Sequence, residues 1–135
     1  MDATEFARLV VDSMPFAAAL QIKVTDLSPH QVSATMAWAP ERCTTAGMLH
    51  GGALMAFADT AGAVCAVANL PPGASTSTIE SKTNFFRAVR EGTVTATSVP
   101  LHVGRTTIVV QTDLTDDRGK PVARVTQTQA VLGPT

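Results

Sequence analysis

Asp59 is the residue whose presence most needs a chemical reason. It stands inside the longest apolar stretch of a 135-residue chain, positions 50–70, His-Gly-Gly-Ala-Leu-Met-Ala-Phe-Ala-Asp-Thr-Ala-Gly-Ala-Val-Cys-Ala-Val-Ala-Asn-Leu. A carboxylate is rarely buried without a partner. No Lys or Arg occurs between Arg42 and Lys82, which excludes an ion pair within the stretch. Either Asp59 hydrogen-bonds a strand hydroxyl in a satisfied core, or it faces a cleft where a carboxylate can act as base or nucleophile. The same stretch opens with His50-Gly51-Gly52. Glycines let another group come close to the backbone. The first N–H groups of a helix are unpaired and lie at the positive end of its dipole, which suits an anion or a polarised carbonyl oxygen. His50 alone reads as a capping or packing histidine.

Nine positions separate His50 from Asp59, which on an α-helix is about 900° of rotation and about 13 Å of rise. The two project from opposite sides, so one copy of the chain does not readily bring both to one reacting centre. Two antiparallel copies of the helix across a two-fold axis do. If both residues are catalytic, the site is shared between subunits. No Gly-x-Ser-x-Gly elbow occurs, and His30, His50 and His102 lack metal-ligand spacing, so neither a serine nucleophile nor a metal is expected.

The elements that position these residues follow from periodicity. Phe6, Leu9, Val10 and Met14 predict a short N-terminal helix over 4–14, capped by Asp2 or Thr4 and closed by Pro15. From Ala19 the period becomes two, and Leu20, Ile22, Val24 and Leu27 predict a half-buried strand. A Ser28-Pro29-His30 turn leads to a hairpin partner with Val32, Ala34, Met36 and Trp38, ended by Pro40. Residues 41–49 read as a loop. The 50–70 stretch is too long for a strand and apolar on every side except Asp59 and Thr60, which predicts a buried helix. As a membrane span it would hold Asp59 near its middle at a cost of about 2.5–3.5 kcal/mol, so that reading is set aside. Pro71-Pro72-Gly73 ends the helix. Strands are expected over 75–86, 92–103, 106–115 and 122–132, with turn residues at 90–92, 104–105 and 116–121. Consecutive strands joined by short turns imply an antiparallel sheet, hence an α+β fold in which a curved sheet wraps the central helix, in one domain over 1–135.

Composition sets outer limits. Apolar residues at 45% and charged residues at 16% support a packed core. Ten basic and eleven acidic residues, scattered, leave a net charge of -1 and no face suited to nucleic acid or anionic lipid. Cys43 and Cys65 make no metal motif or disulfide framework, and Cys65 reads as a buried spectator thiol. The acidic start, Met-Asp-Ala-Thr-Glu, is unlike a secretory signal, so a soluble cytoplasmic protein is expected.

Taken together, these residues resemble a known family. His50-Gly51-Gly52 followed by Ala58-Asp59 is similar to the signature of hotdog-fold acyl-CoA thioesterases, in particular the phenylacetate-pathway (PaaI-like) branch of the 4-hydroxybenzoyl-CoA thioesterase group. Thr78-Ile79-Glu80 with Phe85-Phe86-Arg87 resembles the third strand of that fold, and Gly92 the glycine that opens the next. Gly104-Arg105-Thr106 falls at the family's turn before a strand ending in a charged hairpin. The likeness runs over about 20–132.

The resemblance implies hydrolysis of an acyl- or aryl-CoA thioester to free acid and coenzyme A, with coenzyme A as part of the substrate and no cofactor. Asp59 would act as general base or nucleophile. The Gly51 N–H would polarise the carbonyl, with His50 and Gly52 beside it, and Asp59 would come from the other subunit of a homodimer. In this family such dimers often pair again into homotetramers. Coenzyme A would lie along the subunit interface against His102, Val103, Gly104, Arg105, Thr106 and Thr107, with Phe85 lining the pantetheine channel. Arg105 would either meet a phosphate or stand as a solvated tip charge. Thr44 occupies the position where many relatives carry Asn or Gln, and Ala63 the position where some carry Ser or Thr. Thr78 or Thr60 would then orient the attacking water. A thioester is already electrophilic, so an oxyanion donor, a carboxylate and a positioned water suffice. The runner-up is a non-catalytic acyl-CoA-binding protein on the same fold; a hydratase or dehydratase lacks its motif here.

Overall fold

The structure, a computed structural model, describes residues 2–133. Helix α1 (Ala3–Asp12) is the expected N-terminal helix. Asp2 caps it by accepting the Glu5 N–H at 2.8 Å, and Glu5 reaches back to the Asp2 N–H. Such a capping box is worth about 1 kcal/mol. Pro15 does more than close α1: it opens α2 (Pro15–Ala19) at the first helical position, where its missing N–H leaves no bond unmade. The strand expected from Ala19 therefore starts later. Leu20 caps α2, Gln21 turns the chain at a φ of 54°, and β1 (Lys23–Leu27) follows. It pairs antiparallel with β2 (Val32–Ala37) across a turn in which the Ser28 hydroxyl accepts the N–H groups of His30 and Gln31.

The loop expected over 41–49 has structure of its own. It holds 3-10 turns at Pro40–Arg42 and Thr45–Gly47, and Cys43 bridges Leu49. The indole N–H of Trp38 donates to the Gly47 carbonyl and the Arg90 guanidinium to that of Ala46, both at 2.9 Å. The chain thus enters α3 (Gly51–Val67) along a fixed path.

After α3 come β3 (Ser75–Phe85), β4 (Thr93–Val103), β5 (Thr107–Thr115) and β6 (Pro121–Leu132). All six strands form one antiparallel sheet in the order β1-β2-β4-β5-β6-β3. The expected curved sheet around one long helix is what forms. Helix α3 crosses its face, so β3 lands at the far edge with one rim unpaired. The core lies between them: Phe57, Ala61 and Cys65 of α3 pack with Met36, Val94, Ile108, Val110 and Val125. Loss of the Phe57 ring would cost about 3–5 kcal/mol.

Helix α3 departs from the expectation in one respect: it is not buried all round. Gly52 and Met55 are exposed, and Ala56, Asp59, Thr60, Ala63 and Val67 are half-buried. These positions repeat at helical spacing and form one open stripe. No helix among the described residues is long and apolar enough to cross a membrane.

Candidate functional site

Asp59 sits on that open stripe and turns its carboxylate toward β3 and β6. Its Oδ1 lies 3.1 Å from the Thr78 hydroxyl and 3.2 Å from the Gln127 amide nitrogen, both donors. The Gln127 Nε2 also donates to Gln129 Oε1 at 2.9 Å, and the Gln129 Nε2 donates to the Thr76 hydroxyl at 3.0 Å. Thr78 lies 2.6 Å from Gln129 Oε1 as well. Asp59 therefore has a strand hydroxyl as its partner and, at the same time, lies on the open side of the helix. The Thr60 hydroxyl donates to the Ala56 carbonyl at 2.8 Å, which leaves Thr78 as the hydroxyl beside Asp59.

At the start of α3 the donors can be accounted for one by one. The His50 Nδ1 accepts the Gly52 N–H at 2.7 Å, and the Ala53 N–H donates to the His50 carbonyl at 2.9 Å. The Gly51 N–H has no acceptor among the described residues. His50 is thus the helix cap, its imidazole lying flat against Gly52, where a Cβ would come within 2.8 Å of Nδ1. With Nδ1 accepting, Nε2 is the ring nitrogen that carries a proton, and the residue as a whole is exposed. The Phe85 ring leans on Gly51, so that a Cβ there would sit 3.2 Å from its Cζ.

These are two separate clusters of candidate residues. Thr78 and Phe85 are seven positions apart on β3, about 23 Å of strand; Phe85 ends the strand, and Thr78 lies in its first half. Within one chain the structure brings together Gly51, Gly52, His50 and Phe85 at one end, and Asp59 and Thr78 at the other.

The β4–β5 turn falls at the Asp59 end. Ile108, Gln129 and Thr78 lie in one row across the sheet, and Thr107, Ala130 and Ser77 in the next. Gly104, Arg105 and Thr106 continue beyond that row, closed by the Gly104 N–H donating to the Thr107 carbonyl at 2.8 Å. His102 folds over Gly104, and Val103 and Arg105 are exposed. Thr44 is exposed in the loop before α3, its N–H donating to the Met48 carbonyl. Two open clefts of about 420 and 550 Å³ lie near Arg87 and reach neither Asp59 nor Gly51.

Sequence reasoning passed over Gln127, Gln129 and Thr76. A signal was present: β6 alternates inward through Val125, Gln127 and Gln129, so two amides stand at core positions. Which groups they would meet was not readable, since Asp59 and Thr76 are distant in the chain.

Residues 46–123 match a family model for the thioesterase superfamily. That span contains Gly51, Asp59, Thr78, Phe85 and the β4–β5 turn; Thr44 precedes it, and Gln127 and Gln129 follow it. The chain is 38% identical over 112 residues to the Vibrio cholerae protein VC_A0580, whose name carries a provisional esterase assignment, covering 83% of this chain and 75% of that protein. It is 30% identical over 114 residues to the proofreading thioesterase EntH of Cronobacter turicensis, covering 84% and 83%. The crystal structure of thioesterase HI1161 from Haemophilus influenzae superposes with a TM-score of 0.90 at 27% identity, covering 98% of this chain and 92% of that one.

Proposed function

Because the chain belongs to the thioesterase superfamily and is a thioester hydrolase, we propose that it cleaves acyl- or aryl-CoA thioesters at a site completed by two subunits. Asp59 of one subunit activates water or attacks the carbonyl carbon directly. The Gly51 N–H of the other receives the developing oxyanion, and coenzyme A leaves as the thiol. An unpaired N–H at a helix start is well suited to that charge.

The observation that carries this reading is the separation along β3 of the residues beside Gly51 from those beside Asp59. The outer rim of β3 is unpaired, and Ile79 on it is 63% exposed. Antiparallel pairing of this edge with a second copy, centred between Ser81 and Lys82, sets Thr78 opposite Phe85 of the other chain. Each Asp59 end then meets a Gly51 end, and the open stripe of α3 faces its copy. The turn from His102 to Thr107 borders the Asp59 end, so the nucleotide part of coenzyme A lies along it, with Arg105 available to a phosphate. Phe85 flanks the pantetheine arm, Gly52 and His50 border the acyl carbonyl, Thr44 lies on the loop beside them, and Thr78 orients the water. A homodimer is the minimum assembly, a homotetramer its natural extension, and the cytoplasm its setting.

Free-thiol release from short, medium, long-chain and aryl-CoA substrates tests the reading, with wild type and Asp59→Asn compared side by side. Wild type should turn over, and the variant, still folded, should lose at least about a hundredfold. Near-wild-type rates from Asp59→Asn would refute the carboxylate's role. Ligand binding without thiol release by wild type would make the protein an acyl-CoA-binding module.

A further inference from the structure

Gln127 and Gln129 take no part in that reading, yet each is only 1% exposed. They hold successive inward positions of β6, where Ala123 and Val125 supply apolar side chains. Burying two amides at such positions is unfavourable unless their donors and acceptors find partners. The geometry points to what they do: Gln127 and Gln129 are positioning residues that hold Asp59 by Oδ1 and leave Oδ2 to the reacting water or carbonyl carbon. The inference rests on Asp59 being the catalytic carboxylate.

The amide of Gln127 has one tolerable orientation. Its Nε2 donates to Asp59 Oδ1 and Gln129 Oε1. A half-turn would set Oε1 against the carboxylate and against a second carbonyl oxygen, both repulsive. As it stands, Oε1 is buried without a hydrogen-bond partner among the described residues and lies against Gly62. A Cβ at Gly62 would collide with it, so the glycine provides the room the amide occupies. An acceptor left unpaired in the core is a cost, and what it secures is a donor fixed on one carboxylate oxygen.

Gln129 is the brace. Thr76 accepts from its Nε2, while its Oε1 accepts from Gln127 and competes with Asp59 for the single proton of the Thr78 hydroxyl. An ionised Asp59 draws that proton toward Oδ1. When Oδ2 takes a proton during turnover, Oδ1 becomes a weaker acceptor and the hydroxyl turns to Gln129, 2.6 Å away. No charged side chain of the neighbouring strands joins this cluster: Glu80, Lys82 and Arg124 alternate onto the other face of the sheet.

Gln127→Leu and Gln127→Glu test this, each made alone and in an Asp59→Asn background. Gln127→Leu should lower kcat about ten- to a hundredfold with KM changed by less than about threefold, and should not lower the residual rate of Asp59→Asn further. Gln127→Glu sets a second carboxyl beside Oδ1 and should raise the acidic limb of the kcat/KM profile by about one pH unit or more. Gln129→Met should give a smaller loss in kcat. Wild-type kcat in Gln127→Leu, or the same fold-loss in both backgrounds, would overturn the assignment. If Gln127→Leu does not fold, the acidic limb of Gln127→Glu decides, and an unmoved limb overturns it. High activity in Asp59→Asn alone is a different result: it removes the catalytic reading itself.

Discussion

Six positions apart on α3, Asp59 and Cys65 meet opposite surroundings. Asp59 lies on the open stripe among hydroxyl and amide donors; Cys65 is fully buried against the apolar face of the sheet, and burial pushes its thiol up to about 11 from 9.0. Below pH 9 the thiol is protonated in both folded and unfolded chains, so its contribution is constant. Between pH 9 and 11 the unfolded chain loses the proton while the folded one keeps it, and stability falls by up to about 2–3 kcal/mol. Urea titrations at rising pH should show this loss in wild type and a flatter profile in Cys65→Ala. Equal slopes in the two proteins would place the alkaline sensitivity elsewhere. The spectator role of Cys65 was legible because the residue sits in an unbroken apolar run. His50 was legible only as a choice between cap and catalyst, since type and spacing do not reveal which ring nitrogen is engaged. The bond from the Gly52 N–H to Nδ1 supplies that.

At the scale of elements, long alternations were readable and short irregular pieces were not. β3 to β6 begin and end within about one residue of expectation because nine to twelve alternating positions outweigh any single exception. Helix α2 was missed because Pro15 stops one helix and starts the next with the same ring, and five residues carry no period. The full burial expected for α3 was wrong on one face, because small apolar side chains read alike whether covered or open. Partners across the sheet were the least visible part, as with Gln127 and Asp59. The β5–β6 turn is a case where the local chemistry suffices. The Asp116 carboxylate accepts the Lys120 and Arg118 N–H groups, each at 2.9 Å. Chiefly the Lys120 bond holds its pKa below 3.8, with Arg118, Arg87 and the second amide helping. A lowered folded pKa means the turn keeps this support through the ordinary carboxylate range and loses it as pH falls through the lower value. Amide exchange at Lys120, followed by NMR relative to its intrinsic rate, should stay protected near pH 4 and open below that. Asp116→Asn should abolish the acid transition; if it persists, another group controls the turn.

For the whole molecule, the proposed sharing of the site between two subunits makes a quantitative prediction. Gly51→Pro removes the unpaired N–H while keeping a residue favoured at the first helical position. It and Asp59→Asn should each be inactive alone. A mixed dimer of the two has one intact site and one doubly altered site, so an equal mixture after subunit exchange should recover about a quarter of wild-type activity. No recovery, with exchange demonstrated, would mean that each chain carries its own complete site. The composition adds a practical consequence. The molecule has one tryptophan and no tyrosine, and the indole of that tryptophan is tied to the Gly47 carbonyl in the loop that leads into α3. Its intrinsic ultraviolet emission is therefore a single-colour signal from the entrance to α3. Any ligand that settles beside Gly51 and shifts that loop can be followed without a dye.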